Sequence, residues 1–231
     1  MCDRYTLTCS ADLLQKTFGI KMEDFQPFYN AGPTQKLPVI KVENNPAVNE
    51  MFWGLIFNWS NNKKISPKLF NLPGQSALEK KAYRRGLEEN RCLIMADGFY
   101  LWKQISKRQN TPYYFYLPDH SPFGIAALWE DYEDMDGKST QSFIMMTTES
   151  SSEVAPYQDD MPLLLDHQAM KKWLQPDLDI NDIEIILNKK PIDSLKFHAV
   201  SPMISNLENN KPELIKSSVP SDQHGNYTLF S

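Results

Sequence analysis

The feature that most constrains this chain is a series of short apolar runs, each rich in aromatic and β-branched residues and closed off by Pro, Gly, Asn or Asp. Met51–Ile56, Arg91–Met95, Tyr113–Leu117, Phe123–Glu130 and Phe143–Thr148 are such runs, too short for helices and read as strands. The stretch WEDYEDMDGKSTQSFIMMTT reads as two strands joined across Asp136-Gly137. Sixteen prolines are scattered along the chain, so they punctuate many turns and mark no boundary. Helical patterns are fewer: Ser10–Thr17, Ser76–Glu89, Asp166–Leu174 and Asp182–Leu187. Ser76 followed by Glu79 has the spacing of a capping box, and Asp166 is placed as an N-cap. With 231 residues, 41% of them hydrophobic, the chain can bury a sizeable core. The expectation is one α+β domain over residues 1–231, built on a mostly antiparallel, strongly curved sheet. The polar stretch from about Ser217 is expected to be loosely ordered.

Several function classes are excluded. No run reaches the roughly 18 apolar residues of a membrane span, and the start lacks the basic and apolar segments of a signal peptide. Three unpatterned cysteines (Cys2, Cys9, Cys92) favour a reducing, cytoplasmic setting. The four histidines share no ligand spacing with them, so no metal is expected. The acidic run DYEDMDG fails as a calcium loop, because its twelfth position is Phe143. No glycine-rich phosphate cradle is found, and no cofactor is expected. The net charge of −5 divides unevenly: Lys63 to Arg108 holds 11 basic and 4 acidic residues, +7, leaving −12 elsewhere. Two readings stay open, a positive groove for a phosphate backbone or a solvated helix with both signs at helical spacing.

The opening MCDRY places Cys2 directly after Met1. With Met1 removed, Cys2 carries a free α-amine beside its thiol, a pair able to do chemistry that neither group does alone. Beyond Cys2, the strings YNAGPTQKLPVI, FWGLIFNW, LFNLPGQSALEK, RCLIMADGFYLW and TTESSSEVAPYQDDMPLLL, taken in this order, resemble the SOS response-associated peptidase family. The resemblance runs from Cys2 to about Pro162, and more faintly through FHAVSPMISNLENNKPELI.

That resemblance implies a bifurcated sheet curled into a pseudo-barrel with peripheral helices, acting in DNA-damage response. It further implies covalent capture of abasic sites in single-stranded DNA, by a monomer that needs no membrane. The chemistry suits Cys2: the amine condenses with the sugar aldehyde to an imine, and the thiol closes a thiazolidine. An α-amine, pKa about 7.7–8.0, keeps a useful unprotonated fraction, about a tenth or more, near neutrality, whereas a lysine near 10.4 is blocked. By resemblance Asn71 hydrogen-bonds the captured sugar and the cysteine, and Arg4 contacts phosphate. Trp53 and Trp59 fall where aromatic faces stack on bases, with core packing as the competing role. The basic segment supplies a positive rim in which Lys80, Lys81, Arg84 and Arg85 are prominent.

The chain departs from the pattern at five positions. Leu101 stands where the family has a glutamate, Gln158 a histidine, Asp160 and Pro73 arginines, and Asp3 a glycine. Leucine transfers no protons and an amide replaces imidazole poorly; such help is worth about 10²–10⁴-fold. Two rival readings follow, a non-catalytic binding module on the same fold and an N-terminal-nucleophile cysteine peptidase. On any reading that keeps the site, Cys2, Asn71, Leu101 and Gln158 are expected to converge in space.

Overall fold

The computed structural model describes residues 2–22, 24–44, 46–54, 69–133 and 139–227. Its strands are β1 (Arg4–Leu7), β2 (Phe28–Ala31), β3 (Lys36–Lys41), β4 (Val48–Trp53), β5 (Asn71–Pro73), β6 (Arg91–Ala96) and β7 (Gly98–Ser106). They continue with β8 (Gln109–Tyr116), β9 (Phe123–Glu133), β10 (Ser139–Glu149), β11 (Asp160–Pro162), β12 (Leu164–Leu165) and β13 (Lys196–Ala199). The helices are α1 (Ala11–Phe18), α2 (Gly74–Glu79), α3 (Lys81–Glu89), α4 (His167–Trp173) and α5 (Ile180–Leu187).

One sheet has the order β13-β8-β7-β1-β2. In the other, β10, β4, β3, β6 and β9 pair in sequence and β9 returns to β10, closing a five-stranded ring with β11, β12 and β5 attached. Only β4 and β5 run parallel to β10; the remaining pairings are antiparallel. This is the expected α+β pseudo-barrel. Side chains alternate across each strand, so the second sheet has two apolar faces. Val39, Trp53, Ile94, Ile125 and Phe143 meet Tyr5, Phe99, Leu101 and Phe115 of the first sheet. The opposite face, with Ile40, Leu93, Ala126 and Ile144, meets Leu14, Leu87, Trp173 and Ile183 from the helices.

The five runs read as strands coincide with β4, β6, β8, β9 and β10. The end of the first run, residues 55–56, lies outside the described residues. The long hairpin pairs from Ser139 opposite Glu133 to Met145 opposite Ala127; its Asp136-Gly137 tip also lies outside them. β3 contains Pro38 between two neighbouring strands. Pairing to β6 starts only at Val39, so no ladder bond is lost to the missing N–H.

Helix boundaries follow the caps. Ser10 caps α1 by accepting from Leu13 N, and Asp166 caps α4 by accepting from Ala169 N at 2.8 Å. The capping box at Ser76 does not form. The helix begins at Gly74 after Pro73, placing Ser76 inside it, and extended backbone at Lys80 splits the expected segment into α2 and α3. α5 starts two residues before the expected Asp182, because Asp179 accepts from Asn181 N. The C-terminal stretch is also more ordered than its composition suggests. Ser218 N donates to Ala199 O, and the buried Asp222 accepts from Gln109 Nε2 and from the backbone of His224 and Asn226.

Trp53 is corrected by its surroundings. Its ring is fully buried, stacked on Phe143 at 6.1 Å and tilted against Tyr5, and its Nε1 donates to Phe70 O. No face is left for a base. Trp53→Ala should therefore destabilise the fold by about 3–5 kcal/mol, read as a lowered urea midpoint. A variant of unchanged midpoint that merely bound DNA less well would return Trp53 to the surface role.

Candidate functional site

The site begins with a carboxylate far from it along β1. Asp97 follows β6, is 6% exposed, and accepts from Thr6 Oγ1, Thr8 N, Thr8 Oγ1 and Cys9 N at 2.5–2.8 Å. Gly98 follows because Tyr114 fills the space where a side chain would stand. Together they fix β1 on β7 with Thr6 opposite Gly98 and Arg4 opposite Tyr100. The other end of β1 is thereby delivered to the middle of β7, and with it Cys2.

Cys2 is completely buried among Leu101, Val154 and Met161. Its thiol donates towards Arg4 O at 3.3 Å and Tyr100 O at 3.6 Å. Asn71 arrives from the other sheet, since β5 lies parallel on β10 with Asn71 opposite Met145. Its Nδ2 donates to Cys2 O, joining residues 69 positions apart. Gln158, in the loop between β10 and β11, donates from Nε2 to Trp102 O at 2.8 Å. Leu101, beside Trp102 on β7, is fully buried in the same cluster as Cys2. Asn71 and Leu101 thus meet Cys2, and Gln158 sits against the neighbouring backbone of Trp102.

Arg4 is held rather than free. Its Nη1 donates to Asp3 O at 2.6 Å and lies 3.4 Å from Asp3 Oδ2, with Trp102 in front at 5.9 Å. Gly32 stands behind it, where a side chain would press on the same nitrogen. Burial raises the Asp3 carboxyl above its ordinary value, and the Arg4 guanidinium opposes that shift. Burial likewise pushes the Cys2 thiol up to about 12, with Asp3 and Asp160 adding in the same direction. Buried polar atoms usually find partners. Of the 12 side-chain atoms among the described residues that do not, 8 belong to residues 3–5, to Asn71 and to residues 147–153. A cleft of about 580 Å³ opens at Thr147, lined also by Pro73, Thr148, Asp160 and Lys190 among others; Cys2 and Asn71 do not line it.

Other expectations separate from this centre. Arg84 and Arg85 lie on α3, which packs through Leu87 on the face of the second sheet opposite Cys2. Each pairs with a glutamate one turn on, Glu88 at 3.0 Å and Glu89 at 2.8 Å. Among the described residues α3 is a solvated helix, and its arginines are not gathered with Cys2. Lys80 and Lys81 share its exposed surface. Trp59 lies outside the described residues. No metal-holding group occurs among the described residues. Sequence reasoning missed Asp97, Gly32 and Trp102; only the Asp97-Gly98 pair offered a signal, as a turn dipeptide between two strands.

The family's sequence profile, SOS response associated peptidase (SRAP), matches residues 1–207. The chain belongs to this family. It is 30% identical over 223 residues to a Bacillus subtilis (strain 168) protein named abasic site processing protein YoqW, covering 94% of this chain and all of that one. It is 29% identical over 237 residues to abasic site processing protein HMCES of Xenopus tropicalis, covering 88% of this chain and 70% of that protein. A solved Bacteroides thetaiotaomicron structure superposes with a TM-score of 0.79 at 20% identity, covering 94% of this chain and all of that one. That likeness shows a shared fold.

In this SRAP chain the thiols should behave as buried groups. Burial pushes Cys9 up to about 12 as well and raises Cys92. Since the thiolate reacts, iodoacetamide at pH 7.5 should label the native protein far more slowly than the urea-unfolded chain. The native rate should climb about tenfold per pH unit from 8 to 10, well short of its plateau. Rapid native labelling of Cys2 at pH 7.5, mapped by mass spectrometry, would contradict the buried, neutral thiol.

Proposed function

We propose that this protein acts in the cytoplasm as a monomer and captures abasic sites in single-stranded DNA, through Cys2 after removal of Met1. The Asn71 hydrogen bond to the Cys2 carbonyl carries the reading. It anchors the cysteine backbone beside the α-nitrogen while the two carbonyls next to the thiol orient the sulfur. The Asn71 Oδ1 stays unpartnered and buried, an acceptor suited to a sugar hydroxyl.

The steps follow from the groups present. The α-amine adds to the aldehyde carbon and water leaves, giving an imine. Sulfur then bonds to the imine carbon, and the proton leaving sulfur is gained by the imine nitrogen. Ring closure conserves the proton count within the adduct: the proton that sulfur gives up is the one the imine nitrogen gains, so no base is consumed. Leu101 and Gln158 contribute no proton transfer, so the reaction runs without the roughly 10²–10⁴-fold assistance of an acid–base pair.

A second reading, a binding module on the same fold, is favoured by the complete burial of both Cys2 and Leu101. Processed protein, with Met1 loss confirmed by intact mass, should give a shifted band with an abasic single-stranded oligonucleotide on a denaturing gel. Cys2→Ala should abolish the band, and so should retention of Met1. Leu101→Glu with Gln158→His should speed its appearance at least tenfold. No band from processed protein after long incubation rejects capture and leaves the binding module.

A further inference from the structure

Phe197 is an exposed aromatic ring on an otherwise buried face. It stands on β13 between Leu195 and Ala199, which share its side of the strand and are 5% and 6% exposed, yet Phe197 is 41% exposed. It is braced from below by Phe115 at 5.4 Å and from the side by Tyr157 at 5.0 Å. Tyr157 in turn rests on Tyr113 at 4.6 Å, and Lys103 Nζ lies 5.3 Å over its ring. Tyr157 is half-buried and immediately precedes Gln158, whose amide holds the Trp102 carbonyl.

This cluster continues the face that carries the nucleophile. Cys2, Leu101, Tyr113, Phe115, Leu195 and Ala199 belong to one apolar cluster. From β1 through β7 and β8 to β13 there are three strand spacings, roughly 14 Å, a span that a few nucleotides of single strand cover. Lys103 flanks the rings, and it has no carboxylate partner among the described residues. Rigid aromatic faces beside such a lysine are what single-stranded nucleic acid uses, bases on the rings and a phosphate on the cation.

We propose that Phe197 and Tyr157, with Lys103, form a stacking shelf for a base flanking the captured abasic sugar. The proposal takes its ligand from the DNA reading above, and it replaces Trp53, whose ring is enclosed in the core. Phe197 offers its exposed face to the base and Tyr157 fixes its tilt. The shelf is indifferent to base identity, since every base has a π-face.

The test separates binding from capture by using a fluorescent single-stranded oligonucleotide carrying a tetrahydrofuran abasic analogue, which has no aldehyde. Anisotropy should show Phe197→Ala and Phe197→Leu each weakening binding about tenfold, a typical loss for one stacked base, while Phe197→Trp binds at least as well as the parent. Lys103→Ala should lower the salt slope by about 0.7. Circular dichroism melts should leave these variants within a few degrees of the parent. Phe197→Leu binding like the parent would show that apolar packing suffices, and would overturn the shelf. An absence of parental binding to the oligonucleotide would overturn it too. Parental capture of a true abasic site with unchanged affinity in Phe197→Ala would reject the shelf and keep the function. Phe197-dependent binding without capture would do the reverse.

Discussion

The arrangement depends on the carboxylate of Asp97. Four donors converge on it from residues 6–9, two of them the backbone N–H and the hydroxyl of Thr8, and a nearly buried anion so surrounded stays where its donors are. β1 is only four residues long, too short to hold its register by ladder bonds alone. Pinned at its C-terminal end by Asp97, it meets β7 in one register, and a slip of one position would turn Cys2 to the other face. The place of Cys2 is thus decided at the turn between β6 and β7.

The price of that placement is burial. A thiol set into an apolar barrel mouth stays protonated, and the neighbouring carboxylates of Asp3 and Asp160 reinforce this. A proton passed within the adduct suits such a site better than one taken up by a distant base. The same burial explains why unpartnered polar atoms gather there. In a core each is unfavourable by about 1–3 kcal/mol; under the capture reading they are acceptors and donors for a polar ligand.

Much of this was legible from residues alone, for identifiable reasons. The runs at Phe123 and Phe143 declared themselves by aromatic and β-branched content, and Asp166 and Ser10 by their cap chemistry. Other strands were silent. RYTL and KLPVIK are buried on both faces or carry a proline, so neither alternates. Ser76 misled because a capping-box spacing says nothing about a preceding proline that starts the helix earlier. The order of motifs pointed to Cys2 and Asn71 together, and their meeting required only that the fold be shared. It could not tell a tryptophan facing DNA from one facing the core. Trp53 reads equally as a base-stacking ring or a core ring, and nothing in the sequence singles out Phe197. Only tertiary packing separates them.

A final consequence lies in how β10 collects its neighbours. Phe143 pairs with Trp53 and Met145 with Asn71, both in parallel. Two positions along one strand therefore receive residues 53 and 71, one arriving and the other resuming. The ladder on β10 is continued by a different part of the chain, as if the intervening residues had been spliced into a single strand. Asn71 takes its position from β10 and not from the covalent path that leads to it. The distance from Asn71 to Cys2 is accordingly set by the ladder on β10 and by the hydrogen bond that crosses to the first sheet.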